Sequence, residues 1–473
     1  MKSFKSLIDD KILEMHPLSC VCSICMDNDY IVDENISLLN SFFLNDSYLV
    51  HLYPYAQNVG NLIIELNNYK NIKDFETKLI YDESLTKKHE IVLNKLTGHK
   101  IKQISTQLIP EFESEGEFMI NICVNGTQVK TVSSVLSNTN SNWDDVELDS
   151  KVIESKEFNK QYIHSLASSP HIYGECLFIF GDKNEIVLRT VNNEGNFDYQ
   201  SVCQDIFPNF ESSSNWRNVL FGNHPRNVVY SDYSKICCID TRLKPSNTNE
   251  IFSINSEISK KFLNINEVIE RNVFTKNDFN AHIICCTNTL LIVDERFTSR
   301  PLITWKHHLN LKPIHLQTIT LNNTNNNIIL CSDATDIFAY QFNLNENSMP
   351  ISYSFPLKID TLYSDFETHL PEGYDKRLKR HFSWRLKQPI LSMSTVNDND
   401  KFAIFQMPSN TDLYYQMFEA NNNMMEVEKS YEMEIHSSNY DTWLGKLRFN
   451  YLVKIEILKI LKLLLIFLLL IIK

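Results

Sequence analysis

Glycine is scarce in this sequence, with 10 among 473 residues. So few glycines speak against a regular repeat array in which every unit carries a Gly-His and a Trp-Asp pair. Common catalytic signatures are absent from the sequence as well: the Gly-x-x-x-x-Gly-Lys phosphate loop, the Gly-x-Ser-x-Gly nucleophile turn and the His-Glu-x-x-His zinc helix do not occur. We therefore predict a protein that is not an enzyme and that needs no cofactor.

Positive charge is also in short supply, because 45 Lys and Arg face 58 Asp and Glu and the formal net charge is -13. Proteins that wrap nucleic acid neutralise its phosphates, so any DNA contact of this chain is expected to be local or shared with basic partners. The 11 cysteines are odd in number and lack the dense, even spacing of a secreted disulfide scaffold. Residues 1–12 contain Asp9 and Asp10 and no apolar core of signal-peptide length. A reducing compartment is predicted.

What the sequence does contain is a recurring pattern of apolar strand, polar turn and apolar strand. It occurs at seven places: 49–53 with 62–66, 118–124, 177–180, 228–230 with 236–239, 283–286 with 290–293, 328–331 with 337–342, and 402–406 with 413–418. Their spacing of roughly 45 to 75 residues exceeds the ~40 to 45 of a regular blade, so insertions are expected between units. The pattern predicts an all-β fold, a divergent WD40-like β-propeller of about seven blades. Two stacked β-sandwiches are the alternative.

Two matched stretches in the middle of the chain are the most informative. The first runs from Trp216-Arg217 through Phe221-Gly222-Asn223-His224-Pro225-Arg226 to Ile239-Asp240-Thr241-Arg242. The second runs from Ala281-His282 through Val293-Asp294-Glu295-Arg296 to Pro301 and Trp305-Lys306-His307. Each predicts two short strands around a polar turn, with an acidic residue followed by arginine where the third strand of a blade ends.

The same residues resemble a known family, the β-propeller member of the TATA-binding-protein-associated factors that serve RNA polymerase I. The resemblance is clearest over residues 216–308. It implies a non-catalytic scaffold within the polymerase I promoter-selectivity complex, which supports assembly of the pre-initiation complex at the ribosomal RNA gene promoter in the nucleolus. The partners implied are TATA-binding protein, the other selectivity-factor subunits and the RNA polymerase I machinery.

For nine residues we predict a structural role in closing the blades: His224, Pro225, Arg226, Asp240, Arg242, Asp294, Glu295, Arg296 and Trp305. His224 and Asp240 could in principle form a catalytic acid and base pair. In a blade, such residues more often satisfy one another in a hydrogen-bond network that fixes strand and loop, and we favour this interpretation.

Residues 375–388 form a local basic segment in an acidic chain, with six Lys or Arg and one acid. The residues that could contact DNA phosphates or a partner are Lys376, Arg377, Lys379, Arg380, Arg385 and Lys387, with Phe382 and Trp384 available for stacking or docking. The alternative is a solvated insertion that binds an acidic protein surface or nothing.

The amino-terminal leader, residues 1–45, contains four residues of the types that bind zinc within ten positions: His16, Cys20, Cys22 and Cys25. The Cys-x-x-Cys spacing resembles the first half of a RING finger and raises a ubiquitin-ligase component as a third hypothesis. A RING requires further Cys and His pairs, and no cysteine follows before Cys123. We therefore expect reduced thiols and no metal.

The propeller is predicted over residues 46–425, followed by an extension, 426–473, that ends in an apolar helix. Residues 463–472 are an uninterrupted apolar run, and ten helical residues span ~15 Å, about half a bilayer core. Lys459 and Lys462 could snorkel and lengthen the span. A tail anchor would make the protein a membrane-tethered propeller adaptor in trafficking, which is the alternative function. A docking helix and translated intron sequence are the other interpretations, and we favour the last.

Overall fold

A computed structural model gives the structure of the chain. It describes residues 37–44, 48–54, 61–68, 86–93, 100–108, 116–138, 143, 146–158, 161–180, 185–192, 194–203, 216–243, 248–257, 259–264, 267–275, 280–298, 300–321, 326–344, 351–352, 356–368, 380, 383–398, 401–409, 413–419 and 434–436. The cysteines of the leader with zinc-site spacing and the predicted apolar carboxyl-terminal helix lie outside the described residues.

Seven antiparallel sheets are present in the described part of the chain, and each is built from consecutive strands. The first sheet contains β1 (Asn40–Leu44), β2 (Tyr48–Pro54), β3 (Leu62–Asn67) and β4 (Thr86–Ile91). The second contains β5 (Ile101–Leu108), β6 (Glu117–Val124), β7 (Gln128–Asn138) and β8 (Val146–Glu157). The third contains β9 (Ile163–Ser168), β10 (Cys176–Phe180), β11 (Glu185–Val191) and β12 (Phe197–Cys203).

The fourth sheet contains β13 (Arg217–Phe221), β14 (Asn227–Asp232), β15 (Lys235–Asp240) and β16 (Thr248–Ser253), and the fifth contains β17 (Ile269–Phe274), β18 (Ala281–Cys286), β19 (Thr289–Asp294) and β20 (Ile303–Lys306). The sixth contains β21 (His315–Leu321), β22 (Asn326–Ser332), β23 (Ile337–Asn343), β24 (Ile351–Ser352) and β25 (Leu357–Ile359). The seventh contains β26 (Ile390–Asp398), β27 (Lys401–Pro408), β28 (Leu413–Glu419) and β29 (Glu434–His436). Helix α1 (Leu362–Thr368) and a 3₁₀ turn (Ser259–Lys261) lie in connections between sheets.

The burial of each strand follows from its place in its sheet. Middle strands such as β10 are buried throughout, because both faces pack against neighbouring sheets. The outermost strand β8 alternates between more and less exposed residues, because one of its faces meets solvent. Between β6 and β7 the chain reverses through residues 125–127. Asn125 and Gly126 have positive φ, and the backbone N–H of Thr127 donates to the carbonyl of Val124 at 3.2 Å.

Apolar clusters fill every gap between neighbouring sheets. The third and fourth sheets share one cluster, the fourth and fifth another, and so on to the sixth and seventh. A further cluster joins the second and third sheets, and the largest joins the seventh, first and second. The sheets therefore form a closed ring, and the protein is an all-β propeller of seven blades, as predicted. The alternative of two stacked β-sandwiches is wrong. A sandwich packs two sheets against each other as a pair, whereas each sheet here shares apolar clusters with the sheets on both of its sides.

The first strand of each blade lies at the centre of the ring, and polar side chains connect these inner strands. Gln103 on β5 donates to the carbonyl of His164 on β9, and Asn218 on β13 donates to the carbonyl of Asn272 on β17. Thr318 and Asn397 make the equivalent bonds further round the ring. From Gln103 through Ser105 to Gln107, the partners on the neighbouring segment advance from residue 164 to 168 and 169, so the inner strands β5 and β9 are parallel. The other inner strands follow in the same direction round the ring.

The described cysteines are all free thiols. Cys285 and Cys331 come closest, with 3.4 Å between the sulfur atoms, and both are buried between the fifth and sixth blades. Burial raises the pKa of the Cys285 thiol well above its ordinary value, because a thiolate loses its hydration there. Such thiols are unreactive structural residues.

Candidate interaction site

The ring has two faces, which differ in the segments that they carry. Because the inner strands are parallel, all of them begin at one face, the entry face, and end at the other, the exit face. Turns 169–175 and 222–226 follow inner strands and lie on the exit face. The connections between blades, such as 307–314 and 383–389, lead into inner strands and lie on the entry face.

Eight of the nine residues predicted to close the blades lie on the exit face. His224, Pro225 and Arg226 form the turn between β13 and β14, while Asp240 and Arg242 stand at the end of β15 beside it. The backbone N–H of Thr241 donates to the carbonyl of Arg226 at 2.8 Å. Three further residues, Asp294, Glu295 and Arg296, occupy the equivalent place at the end of β19 in the next blade.

The Asp-x-Arg segments of these two blades adopt the same geometry. Arg242 donates to Asp240 through Nε at 2.9 Å and Nη2 at 2.7 Å, and the backbone N–H of Arg242 donates to Oδ1 at 3.0 Å. In the next blade Arg296 makes these three bonds to Asp294 at 2.9, 2.6 and 2.8 Å. Each carboxylate therefore binds the arginine two residues later and closes a rigid turn.

The pKa values of the two carboxylates reflect these bonds. The hydrogen bonds from Arg242 lower the pKa of Asp240 to about 2. Burial acts to raise the pKa of Asp294, but the hydrogen bonds and charge of Arg296 outweigh burial, and the pKa lies below its ordinary value. Both carboxylates are therefore ionised at neutral pH, as acceptors and not as acids.

Contacts on this face continue from the third blade to the fifth. Arg226 Nη1 lies 3.1 Å from Oε1 of the buried Glu175 in the third blade, and His171 Nε2 lies 2.8 Å from the carbonyl oxygen of Gly222. Between the fourth and fifth blades, burial is the largest cause that raises the pKa of the Cys238 thiol, and the charges of Glu295 and Asp240 raise it further. Direct polar contacts thus link the exit-face turns of blades three and four, and Glu295 of blade five acts electrostatically on Cys238 of blade four.

His224 and Asp240 do not form a hydrogen-bonded pair. His224 Nδ1 accepts a hydrogen bond from the backbone N–H of Arg226 at 3.0 Å, and Asp240 binds Arg242. The arrangement therefore gives His224 and Asp240 local partners and supports the structural interpretation of these residues. It provides no hydrogen-bonded acid and base pair of the kind that catalysis uses.

Trp305 lies apart from the other eight residues, on the outer strand β20. Its Nε1 donates to Ser352 Oγ at 2.9 Å, and its ring centroid lies 5.6 Å from that of Tyr340 and 6.3 Å from that of Phe342. The indole of Trp305 is partly buried and packs against residues of both the fifth and the sixth blade. Because β20 is an outer strand, this contact lies near the rim of the propeller and not at its centre.

The basic segment lies on the opposite side from these residues, in the connection that enters β26 on the entry face. Arg380, Trp384 and Lys387 are exposed, and Lys387 Nζ lies 3.9 Å from the centroid of the Tyr363 ring on α1. Arg385 is buried and is not placed for contact with a partner, which corrects that part of the prediction. Its side chain points into the protein because residues 383–386 form one helical turn with a buried side. Lys376, Arg377, Lys379 and Phe382 lie outside the described residues.

Sequence reasoning missed two groups of residues. Arg189 on β11 is completely buried and forms an ion pair with Glu154 on β8. Leu243 and Phe297, each directly after an Asp-x-Arg segment, are exposed although they are large and apolar. The sequence signal for the second group was the repeated order Asp-x-Arg-apolar at both strand ends.

No metal-binding cluster of His, Cys, Asp and Glu is found among the residues that the structure describes. Within the same residues, none of the helices has the length and apolar character that crossing a membrane requires.

One segment of the chain matches a known family. The family model for the β-propeller of TAF1C matches residues 145–261, from β8 to the connection after the fourth blade. Over this segment the resemblance to the TAF1C family is confirmed. The match includes the first of the two stretches, with His224, Arg226, Asp240 and Arg242. No curated protein sequence matches the chain.

Two solved structures align with this chain. The S. cerevisiae core factor aligns with a TM-score of 0.54 at 12% identity over 92% of this chain, and this chain covers 65% of that one, which is less than two thirds of its length. Sqt1 from Chaetomium thermophilum aligns with a TM-score of 0.47 at 6% identity over 85% of this chain and 87% of that one. At 12% identity, the likeness to the core factor chain shows the fold alone.

Proposed function

We propose that this protein is a non-catalytic scaffold subunit of the RNA polymerase I promoter-selectivity complex, which supports pre-initiation complex assembly at the ribosomal RNA gene promoter. The observation that carries the proposal is the match of the TAF1C propeller model to blades that contain the His-Pro-Arg turn and an Asp-x-Arg turn. The alignment with a chain of the S. cerevisiae core factor supports it at the level of the fold.

The architecture suits a scaffold. Polar bonds between inner strands and apolar clusters between all neighbouring blades hold the ring rigid, so its turns are presented to partners in fixed positions. The proposed partners are TATA-binding protein, the other selectivity-factor subunits and the polymerase I machinery, and the proposed location is the nucleolus. Promoter DNA is proposed to contact the basic segment locally through Arg380, Trp384 and Lys387.

Chromatin immunoprecipitation of the tagged full-length protein tests the proposal. We expect enrichment at the ribosomal RNA gene promoter over the transcribed region, and co-elution of the polymerase I selectivity subunits from a salt extract. A protein-coding promoter serves as the control locus. Equal occupancy at both loci, or a protein released from cells by detergent alone, contradicts the proposal, and the second result supports the membrane-tethered adaptor.

A further inference from the structure

We propose that the exit face of blades three to five is a docking surface for an acidic protein segment that carries apolar side chains. The inference deepens the proposed function, and rests on it, by assigning one surface of the scaffold to a polypeptide of stated chemistry within the same complex. The surface is defined by Ile172, Arg226, Arg242, Leu243, Arg296 and Phe297.

The first argument is the repeated presentation of a large apolar side chain. Leu243 follows Asp240-Thr241-Arg242 and is 51% exposed, and Phe297 follows Asp294-Glu295-Arg296 and is 65% exposed. In both turns the backbone N–H of the apolar residue donates to the aspartate carbonyl, at 3.1 Å for Leu243 and 2.9 Å for Phe297. Equivalent turns of adjacent blades therefore hold apolar side chains out into solvent. Rigid presentation lowers the entropy that binding would otherwise cost.

Charge is the second argument. The side chains of Arg242 and Arg296 are 59% and 49% exposed, whereas those of their partners Asp240 and Asp294 are 22% and 6% exposed. The carboxylates lie beneath and the guanidinium groups point outward, so a partner meets positive charge beside apolar surface. Arginine and aromatic side chains are the residue types that most often dominate protein interfaces. A complementary segment carries Asp or Glu next to apolar residues.

Continuity across blades is the third argument. Arg226 is held by Glu175 of the preceding blade, and the exposed Ile172 lies in the turn that contacts Gly222 through His171. The surface thus extends over three blades, with an apolar side chain on each. An extended or helical segment could contact all three at once. Nucleic acid fits this surface less well, because the exposed apolar side chains have no counterpart in a phosphate backbone.

The test combines affinity with location. The wild-type full chain and the double variant Leu243→Ser, Phe297→Ser are compared in their affinity for the other selectivity-factor subunits, purified from the same organism. The matched control is Phe262→Ser, Leu311→Ser, two exposed apolar residues on the entry face. In parallel, the photo-cross-linking residue benzoylphenylalanine replaces Phe297 or, as the control, Leu311. Circular dichroism melting shows whether each variant is folded.

We expect the exit-face variant to bind about tenfold more weakly or worse while the control is unchanged. Cross-links from position 297 are expected in a segment rich in Asp, Glu and apolar residues. If the wild type assembles and the exit-face variant assembles equally well, or if position 297 cross-links to nucleic acid, the docking surface is wrong and the proposed function stands. If the wild type itself fails to assemble with these subunits, the proposed function is overturned and the docking surface with it.

Discussion

Arg189 and Glu154 form an ion pair that joins two blades, with Nη1 and Oε2 3.0 Å apart. Arg189 lies on the third strand of the third blade and Glu154 on the outer strand of the second. The same guanidinium donates to Asn121 Oδ1 at 2.8 Å and to Thr131 Oγ1 at 2.5 Å. These three interactions cross from the third blade into the second, so one buried cation fixes the relative position of both.

Removing this cation is predicted to destabilise the protein strongly. Arg189→Met leaves Glu154, Asn121 and Thr131 without their shared donor, and breaking a buried pair from one side typically costs about 3–5 kcal/mol of unfolding free energy. Urea denaturation measures the loss. Lys260→Met removes the exposed pair with Glu257 and serves as the control, for which we expect no measurable change. Equal midpoints for the two variants would show that the pair contributes nothing.

Trp305 is predicted to stabilise the contact between the fifth and sixth blades. Trp305→Ala removes the ring that packs on Tyr340 and Phe342 and the bond to Ser352, which we expect to lower the unfolding free energy by about 2–3 kcal/mol. Trp384→Ala on the exposed basic segment is the control, since that ring is solvated. A thermal midpoint for the Trp305 variant as high as that of the control would contradict the structural role.

The sequence pattern predicts the middle strands well and the inner and outer strands poorly, for a physical reason. The predicted strand 236–239 corresponds to β15, Lys235–Asp240. Middle strands of this kind pack on both faces and are therefore apolar, which makes them visible in the sequence. Outer strands such as β16, Thr248–Ser253, face solvent and lack a continuous apolar signal. Inner strands such as β5 carry polar residues because their side chains bond to the next blade.

Within the candidate site, what is local in sequence was predictable and what is distant was not. The Asp-x-Arg turn involves residues two positions apart, so the motif itself indicates the contact. Arg226 and Glu175, by contrast, are 51 positions apart, and only the adjacency of two blades brings them together. Which face receives a turn also depends on the direction of the inner strands, which no local pattern specifies.

Acid is predicted to destabilise the fold through His164. Burial, with the charge of Arg217, lowers the pKa of His164 from 6.5 to about 4. Between these values the unfolded chain binds a proton that the folded protein does not, so stability falls as the pH drops, by about 1.4 kcal/mol for each pH unit crossed. His164→Gln is expected to reduce the loss of melting temperature between pH 7 and pH 5. His308→Gln, at an exposed position, is the control, and identical pH profiles for the two variants would refute the assignment.

The basic segment is predicted to contact promoter DNA through phosphates. Arg380→Glu with Lys387→Glu should weaken binding of a ribosomal RNA gene promoter duplex and reduce the slope of log affinity against log salt by about 1 for each phosphate interaction that is removed. Lys151→Glu with Lys306→Glu, at exposed positions on the outer strands β8 and β20, makes the same change in net charge and is the control. Fluorescence anisotropy at several salt concentrations measures the slope. A slope equal to that of this control variant would place DNA elsewhere.

Closure of the ring is predicted to depend on two serines of the seventh blade. Each sheet that the structure describes is built from consecutive strands, and within the described residues none is completed by a strand from the opposite end of the chain. Ser392 Oγ accepts hydrogen bonds from the backbone N–H of Leu38 at 3.1 Å and of Leu39 at 3.0 Å, and Ser394 Oγ accepts one from Ser41 at 2.9 Å. Replacing both serines by alanine leaves three buried donors without these acceptors, at about 1–3 kcal/mol each.

We expect the double variant Ser392→Ala, Ser394→Ala to open first between the seventh and first blades. Hydrogen exchange should then rise in β1 and β26 before it rises in β13 and β17 on the far side of the ring. Ser134→Ala with Ser150→Ala, a pair bonded within the second blade, is the matched control. Uniform acceleration of exchange across all blades would mean that the ring opens without a preferred seam. The apolar cluster shared by the seventh, first and second blades would then be what holds the closure.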